Sequence, residues 1–118
     1  MNYQLVGNLL INFPGHETYA DYYRELDIAK AITQTSYTVG GVKFTREVFA
    51  SVPDQVIIVR LTADKPGQLT FSAGMQSLQK STVTTRNNDE LVLTGISGNK
   101  DGVEGAVKFT SIVKLKTI

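Results

Sequence analysis

The sequence predicts an all-β domain folded as an antiparallel β-sandwich. About eight short runs rich in β-branched and aromatic residues alternate between apolar and polar positions. Turn signals separate them at Pro14-Gly15, Gly40-Gly41, Pro53-Asp54, Pro66-Gly67 and Asn87-Asn88-Asp89. At the centre, residues 33–61 read as three consecutive antiparallel strands, and the flanking chain adds strands to that meander.

Residues 3–13 form the first alternating run. Tyr3, Leu5, Leu9, Ile11 and Phe13 point one way, and Gln4, Asn8 and Asn12 the other. Val6 and Leu10 interrupt the polar face, which predicts partial cover there. Gly7 inside the run predicts a bulge or a close backbone approach. Pro14-Gly15 ends the strand, and residues 16–20 form a loop. Residues 22–27 suit either a short strand or a helical turn. The β-like ITQTSYTV that follows leaves little room for a helix, so they read as a strand with a turn at 28–30.

Gly40-Gly41 then forms a two-residue hairpin turn, because such turns need positive φ and glycine has no Cβ to clash. A two-residue loop fixes the register. Val39 faces Val42, Tyr37 faces Phe44, Thr35 faces Arg46 and Thr33 faces Val48 on a face expected to be buried along its length. Thr38, Ser36 and Gln34 face Lys43, Thr45 and Glu47 on the other, which becomes apolar only at Ile32 and Phe49. Each apolar cross-strand pair contributes on the order of 0.2–1 kcal/mol. Pro53-Asp54 turns the chain into residues 55–63. Val56, Ile57, Ile58 and Val59 are continuously apolar, which predicts a central strand covered on both faces. Four consecutive β-branched residues between Pro53 and Pro66 count against a buried helix.

Residues 64–67 are a turn. Residues 68–73 alternate, with Leu69, Phe71 and Ala73 inward, whereas 75–80 are weakly patterned. Residues 82–86 and 90–95 make a hairpin about Asn87-Asn88-Asp89, with Leu91 and Leu93 on one face. Residues 97–105 are a loop. Residues 106–115 are a strand with Val107, Phe109, Val113 and Leu115 inward, and its outward lysines suit a sheet edge. The chain opens almost in a strand and closes directly after one, so both ends read as cut from something longer.

The bulk numbers bound the function. At 118 residues the chain is one domain or part of one. A net charge of +1 gives no electrostatic case for nucleic acid or an acidic membrane surface. No apolar run approaches the about 18 residues of a membrane span, and the opening MNYQLVGNLL lacks the basic segment and apolar core that would read as a signal peptide. The absence of cysteine excludes disulfides and thiol chemistry. The absence of tryptophan lowers the case for a self-contained sugar binder, although tyrosine can do the same work.

Candidate chemistry is thin. His16 is the only histidine and sits on a loop beside Glu17, where it could act as an acid, base or ligand or simply be polar surface. With no second His and no Cys, zinc of the usual kind has no ligand set, and no cofactor is implied. Glu25 and Asp27 would share one strand face, but Arg24, Arg46, Arg60 and Lys30 are available to them, so an ion pair is favoured over a catalytic pair. Arg46 and Arg60 are expected to pair with Glu25, Asp27 or Glu47. Asp54 in its turn is expected to bond local backbone. Asp101 and Glu104 lie in a loop without EF-hand spacing. There is no phosphate loop and no nucleophile elbow, so a non-catalytic domain is the default. An exposed cluster of Tyr19, Tyr22 and Tyr23 would favour a carbohydrate-binding role, and their burial would count against it.

The segments DYYRELDIAKA, SYTVGGVKFTREVFASVPDQVIIVRLTADKPG and GNKDGVEGAVKFTSIVK, in that order, resemble the N-terminal β-domain of glycoside hydrolase family 95. The most specific pieces are residues 23–27 (YRELD) and 44–51 (FTREVFAS), followed by Pro53-Asp54-Gln55-Val56. The resemblance spans nearly the whole chain. It implies a supersandwich-like β-sandwich belonging to a bacterial, exported (periplasmic or extracellular) α-L-fucosidase that acts on α-linked fucose of glycans by inversion. Some relatives prefer α-L-galactosides. Its partners would be the parent's helical linker and (α/α)6 barrel, and the glycan would be engaged through that parent. The family's catalytic carboxylate and its helpers lie in the barrel, so no catalytic residue carries over to this sequence. The family's usual Trp-rich opening is absent here, which predicts an incomplete sandwich whose exposed edges could pair with another copy. Within that reading, His16 and Glu17 are candidates for a loop on the active-site rim, and Tyr19, Tyr22 and Tyr23 for sugar contacts. The alternatives are a free-standing carbohydrate-binding domain, a self-associating β-domain, or a fragment that hydrolyses something itself.

Overall fold

The computed structural model describes residues 5–118. Among them are nine strands and no helix: β1 (Asn8–Asn12), β2 (Ala20–Asp27), β3 (Ile32–Val39), β4 (Val42–Ser51), β5 (Val56–Ala63), β6 (Ser72–Gln76), β7 (Lys80–Arg86), β8 (Glu90–Ile96) and β9 (Lys108–Lys114). Every pairing is antiparallel, as predicted. The chain divides into two compact units, Phe13–Phe71 and the remainder.

The Phe13–Phe71 unit is a four-stranded sheet in the order β2-β3-β4-β5. Gly40 and Gly41 take φ of 56° and 74°, and the predicted register holds from Val39↔Val42 to Thr33↔Val48. Residues 28–31 form the predicted turn after β2, where the Lys30 N–H donates to Asp27 Oδ1 at 3.0 Å and the Lys30 ammonium lies 3.1 Å from Oδ2. The turn into β5 is held by Ser51 Oγ donating to Asp54 Oδ2 at 2.5 Å.

One face of this sheet carries Tyr37, Phe44, Arg46 and Leu61. Its end near the Gly-Gly turn is covered, and Val42 and Phe44 are buried there. The far end is open: Leu26 is 61% exposed and Ile57 76%. The face is therefore not buried along its length, and β5 is not a central strand covered on both sides but the sheet's edge. A β-branched run specifies an extended backbone whether or not anything covers it. Coverage is set by distant segments, and those reach only the turn-proximal half. On the opposite face Arg60 reaches Glu47 across β4–β5 at 3.4 Å, one of the predicted pairs.

The second unit holds the two-stranded β1-β6 sheet and the three-stranded β7-β8-β9 sheet, with β6 lying against β8 in a sandwich-like arrangement. Strand β1 is shorter than the predicted run over residues 3–13. Tyr3 and Gln4 lie outside the described residues, and residues 5–7 are not in the strand. Gly7 makes the predicted close approach: a Cβ there would fall 2.5 Å from the Gln76 carbonyl oxygen. The strand expected over 68–73 forms instead over Ser72–Gln76, because pairing with β1 (Ile11↔Ala73, Leu9↔Met75) outweighs local alternation. The β7–β8 hairpin turns through Asn87 and Asn88 at positive φ, which asparagine tolerates. Leu93 at the centre of β8 is fully buried. Strand β9 is a sheet edge, as its lysines predict, but Val107 precedes it and Leu115 follows it, and both are exposed rather than inward.

Candidate functional site

The site is built on the covered end of the β2-β3-β4-β5 sheet. Tyr37 and Phe44, directly opposed across the β3–β4 hairpin, stack with ring centroids 5.7 Å apart. Arg46 lies two residues further along β4 on the same face, opposite Thr35. The chain enters this unit at Phe13, turns at Gly15 (φ 82°), and folds His16 down onto the face. His16 Nδ1 hydrogen-bonds the Tyr37 hydroxyl at 2.9 Å. Its ring centroid lies 4.4 Å from Phe44, 5.3 Å from Phe13 and 5.6 Å from Tyr37. Aromatic pairs of this kind contribute about 0.5–1.5 kcal/mol each beyond area burial. His16 is thus half-buried in an aromatic cluster rather than being polar surface.

Strand β2 supplies the outer wall. Its register against β3 slips between Ala20 and Tyr23, so Asp21 and Tyr22 together oppose Tyr37. Asp21 takes φ of 52°, and a bulge of this kind re-aims side chains. Tyr19 and Tyr22 come to rest beside each other at 5.7 Å, with Tyr19 6.0 Å from Tyr37. Phe13, His16, Tyr19, Tyr22, Tyr37 and Arg46 line a shallow, open cleft of about 230 Å³.

Arg46 gives the cleft its charge. Its guanidinium carbon lies 5.8 Å from the centroid of the Phe13 ring, within cation–π range. The carboxylate partner expected from the sequence is not there. Glu47 faces the other way with Arg60, Asp27 is held by Lys30, and Glu25 accepts from the Tyr23 hydroxyl at 2.9 Å. The Arg46 Nε is buried with no hydrogen-bond acceptor among the described residues. A buried donor left this way costs about 1–3 kcal/mol. Burial raises the Tyr37 hydroxyl above its ordinary pKa, with the Arg46 charge opposing that rise.

The structure brings together three of the residues singled out from sequence, His16, Tyr19 and Tyr22, and separates the other two. Tyr23 is next to Tyr22 in an extended strand, so it points to the opposite face, toward Glu25. Glu17 is exposed and does not line the cleft. Tyr37, Phe44 and Arg46 were legible as one face of a hairpin, but not as part of a site. The missing signal was the fold-back of Phe13 and His16, a contact between segments distant in sequence. Among the described residues no cluster of His, Asp and Glu is suited to a metal ion.

A family model described as glycosyl hydrolase family 65, N-terminal domain, matches residues 1–117. The chain is 43% identical over 97 residues to alpha-L-fucosidase 2 of Arabidopsis thaliana, covering 79% of this chain and 12% of that protein. It is 36% identical over 62 residues to probable alpha-fucosidase A of Aspergillus oryzae, covering 52% of this chain and 9% of that protein. The chain thus spans a small part of the length of both relatives.

Proposed function

Because the chain belongs to the glycosyl hydrolase family 65 N-terminal domain family, we propose that it is the non-catalytic β-domain of an α-L-fucosidase-type glycoside hydrolase, of the family 95 kind, that removes terminal α-linked fucose from glycans with inversion. The fucosidase names of both relatives support the activity. One structural observation carries the domain's role. The far end of the β2–β5 sheet presents the cross-strand row Leu26, Thr33, Val48 and Val59, with Ile57 beside it, and leaves Leu26 and Ile57 uncovered. Such a surface suits packing against further protein, in this reading the helical linker and barrel of the parent. The His16 loop then lies on the rim of the parent's active site, and the parent works outside the cytoplasm.

The protein carrying this domain is assayed on 2′-fucosyllactose, and the anomer first released is read by NMR. Inversion delivers β-L-fucose first. Release of the α-anomer sinks the inverting mechanism, and absence of turnover on fucosides sinks the activity. His16→Ala with unchanged kinetics in that protein removes the loop from the active-site rim.

A further inference from the structure

We infer that the cleft between the His16 loop and the bulge of β2 binds one acidic glycosyl residue, a uronate-type sugar, with its carboxylate on the Arg46 guanidinium and one ring face on Tyr19 and Tyr22.

Size comes first. At about 230 Å³ the open cleft has room to seat one sugar ring against its walls. The walls give the second constraint. Tyr19 and Tyr22 are each more than half exposed although they sit in an aromatic cluster, so their rings are offered to something outside the chain. A pyranose ring has apolar C–H faces and a polar rim, which matches an aromatic side chain bearing a hydroxyl. The third constraint is charge. Arg46 is half-buried on a sheet face and makes no ion pair among the described residues, and Glu25, Asp27 and Glu47, the carboxylates expected to pair with it, are engaged elsewhere. Its planar fork matches a carboxylate in two-point geometry. A neutral sugar would satisfy the rings but offer the guanidinium only uncharged hydroxyl acceptors, which bind it more weakly than a carboxylate. A bare anion would satisfy the guanidinium and leave the rings unmet. A uronate satisfies both.

The inference does not rest on the fucosidase reading, because its readout is binding and needs no turnover. The test is titration of the protein with methyl β-D-glucuronide, methyl β-D-glucoside and acetate, followed by saturation-transfer NMR and calorimetry. The glucuronide is expected to bind at least about tenfold more tightly than either comparator, the difference of about 1.4 kcal/mol that one such charge contact supplies. Arg46→Gln should remove the preference over the glucoside. Tyr22→Ala, at a position exposed enough to leave folding intact, should weaken both sugars. Equal binding of glucuronide and glucoside overturns the charge assignment. Acetate competing as well as the glucuronide overturns the sugar assignment. Absence of binding by all three overturns the site, with the cleft then filled by another part of the protein.

Discussion

His16 Nδ1 and the Tyr37 hydroxyl share a hydrogen bond of 2.9 Å across 21 positions of sequence, which ties a loop ahead of the sheet to strand β3. Tyr37→Phe removes only that bond and is expected to lower stability by about 0.5–1.5 kcal/mol. His16→Ala also removes the ring contacts to Phe13 and Phe44 and should lower it by about 1–3 kcal/mol. Urea unfolding of both variants checks the order. Equal losses would mean that the ring contacts add nothing.

Gly95 lies directly opposite Phe109 on β9, and the phenyl ring occupies the space a Cβ would need. Gly95→Ala should therefore destabilise by about 1–3 kcal/mol through overpacking. The double variant with Phe109→Leu should recover part of that loss. A thermal melt of Gly95→Ala indistinguishable from wild type would show that the ring moves aside freely.

The Glu90 carboxyl titrates below its ordinary range, chiefly because Arg86 hydrogen-bonds its charged form at 2.6 Å, with Lys114 adding a second contact at 3.2 Å. The unfolded chain restores it to about 4.3. A depressed acid contributes stability that is fully present above the unfolded value and lost as pH falls through the folded one. Stability should thus decline below about pH 4.3, and Glu90→Gln should flatten that decline. Asp27, depressed by its Lys30 contacts, keeps a share of the slope in the variant. Urea midpoints measured stepwise downward from neutral pH decide it, and parallel curves for the two proteins would exclude the Glu90 contribution.

Ile57 is the most exposed apolar side chain of β5, on a sheet edge. Ile57→Lys should change stability by no more than about 0.5 kcal/mol, because little packs on it. The same change should suppress self-association, since charge on an edge strand discourages pairing with another copy. Sedimentation velocity on the chain gives the answer. A wild-type chain that stays monomeric at high concentration counts against association through this edge.

How far the sequence could be read depends on the range of the interaction. The β3–β4 register followed from Gly40-Gly41 alone, since a two-residue turn leaves one alignment. The turns after Asp27 and at Asn87-Asn88 were also local and also legible. The run Val56–Val59 marked a strand correctly but misled about its surroundings, because apolarity cannot distinguish a covered strand from one awaiting a cover. The strand expected over 68–73 was displaced by pairing to β1, some sixty residues away in sequence. In the cleft, Tyr19, Tyr22 and His16 could be picked out as candidate residues. Their meeting with Arg46 required the fold-back at Gly15, which no local pattern announces.

The slipped register at Asp21 separates two kinds of change that this domain can undergo. From Tyr23 onward, β2 is locked pair by pair to β3, so insertion or deletion of one residue there would turn a whole row of side chains to the wrong face. Ahead of the slip only Ala20 keeps a partner in β3, so residues 17–19, between the anchored His16 and the sheet, can lengthen, shorten or exchange without shifting the β2–β3 register. The wall of the cleft can therefore diversify among relatives while its floor, Arg46 on β4, stays in place.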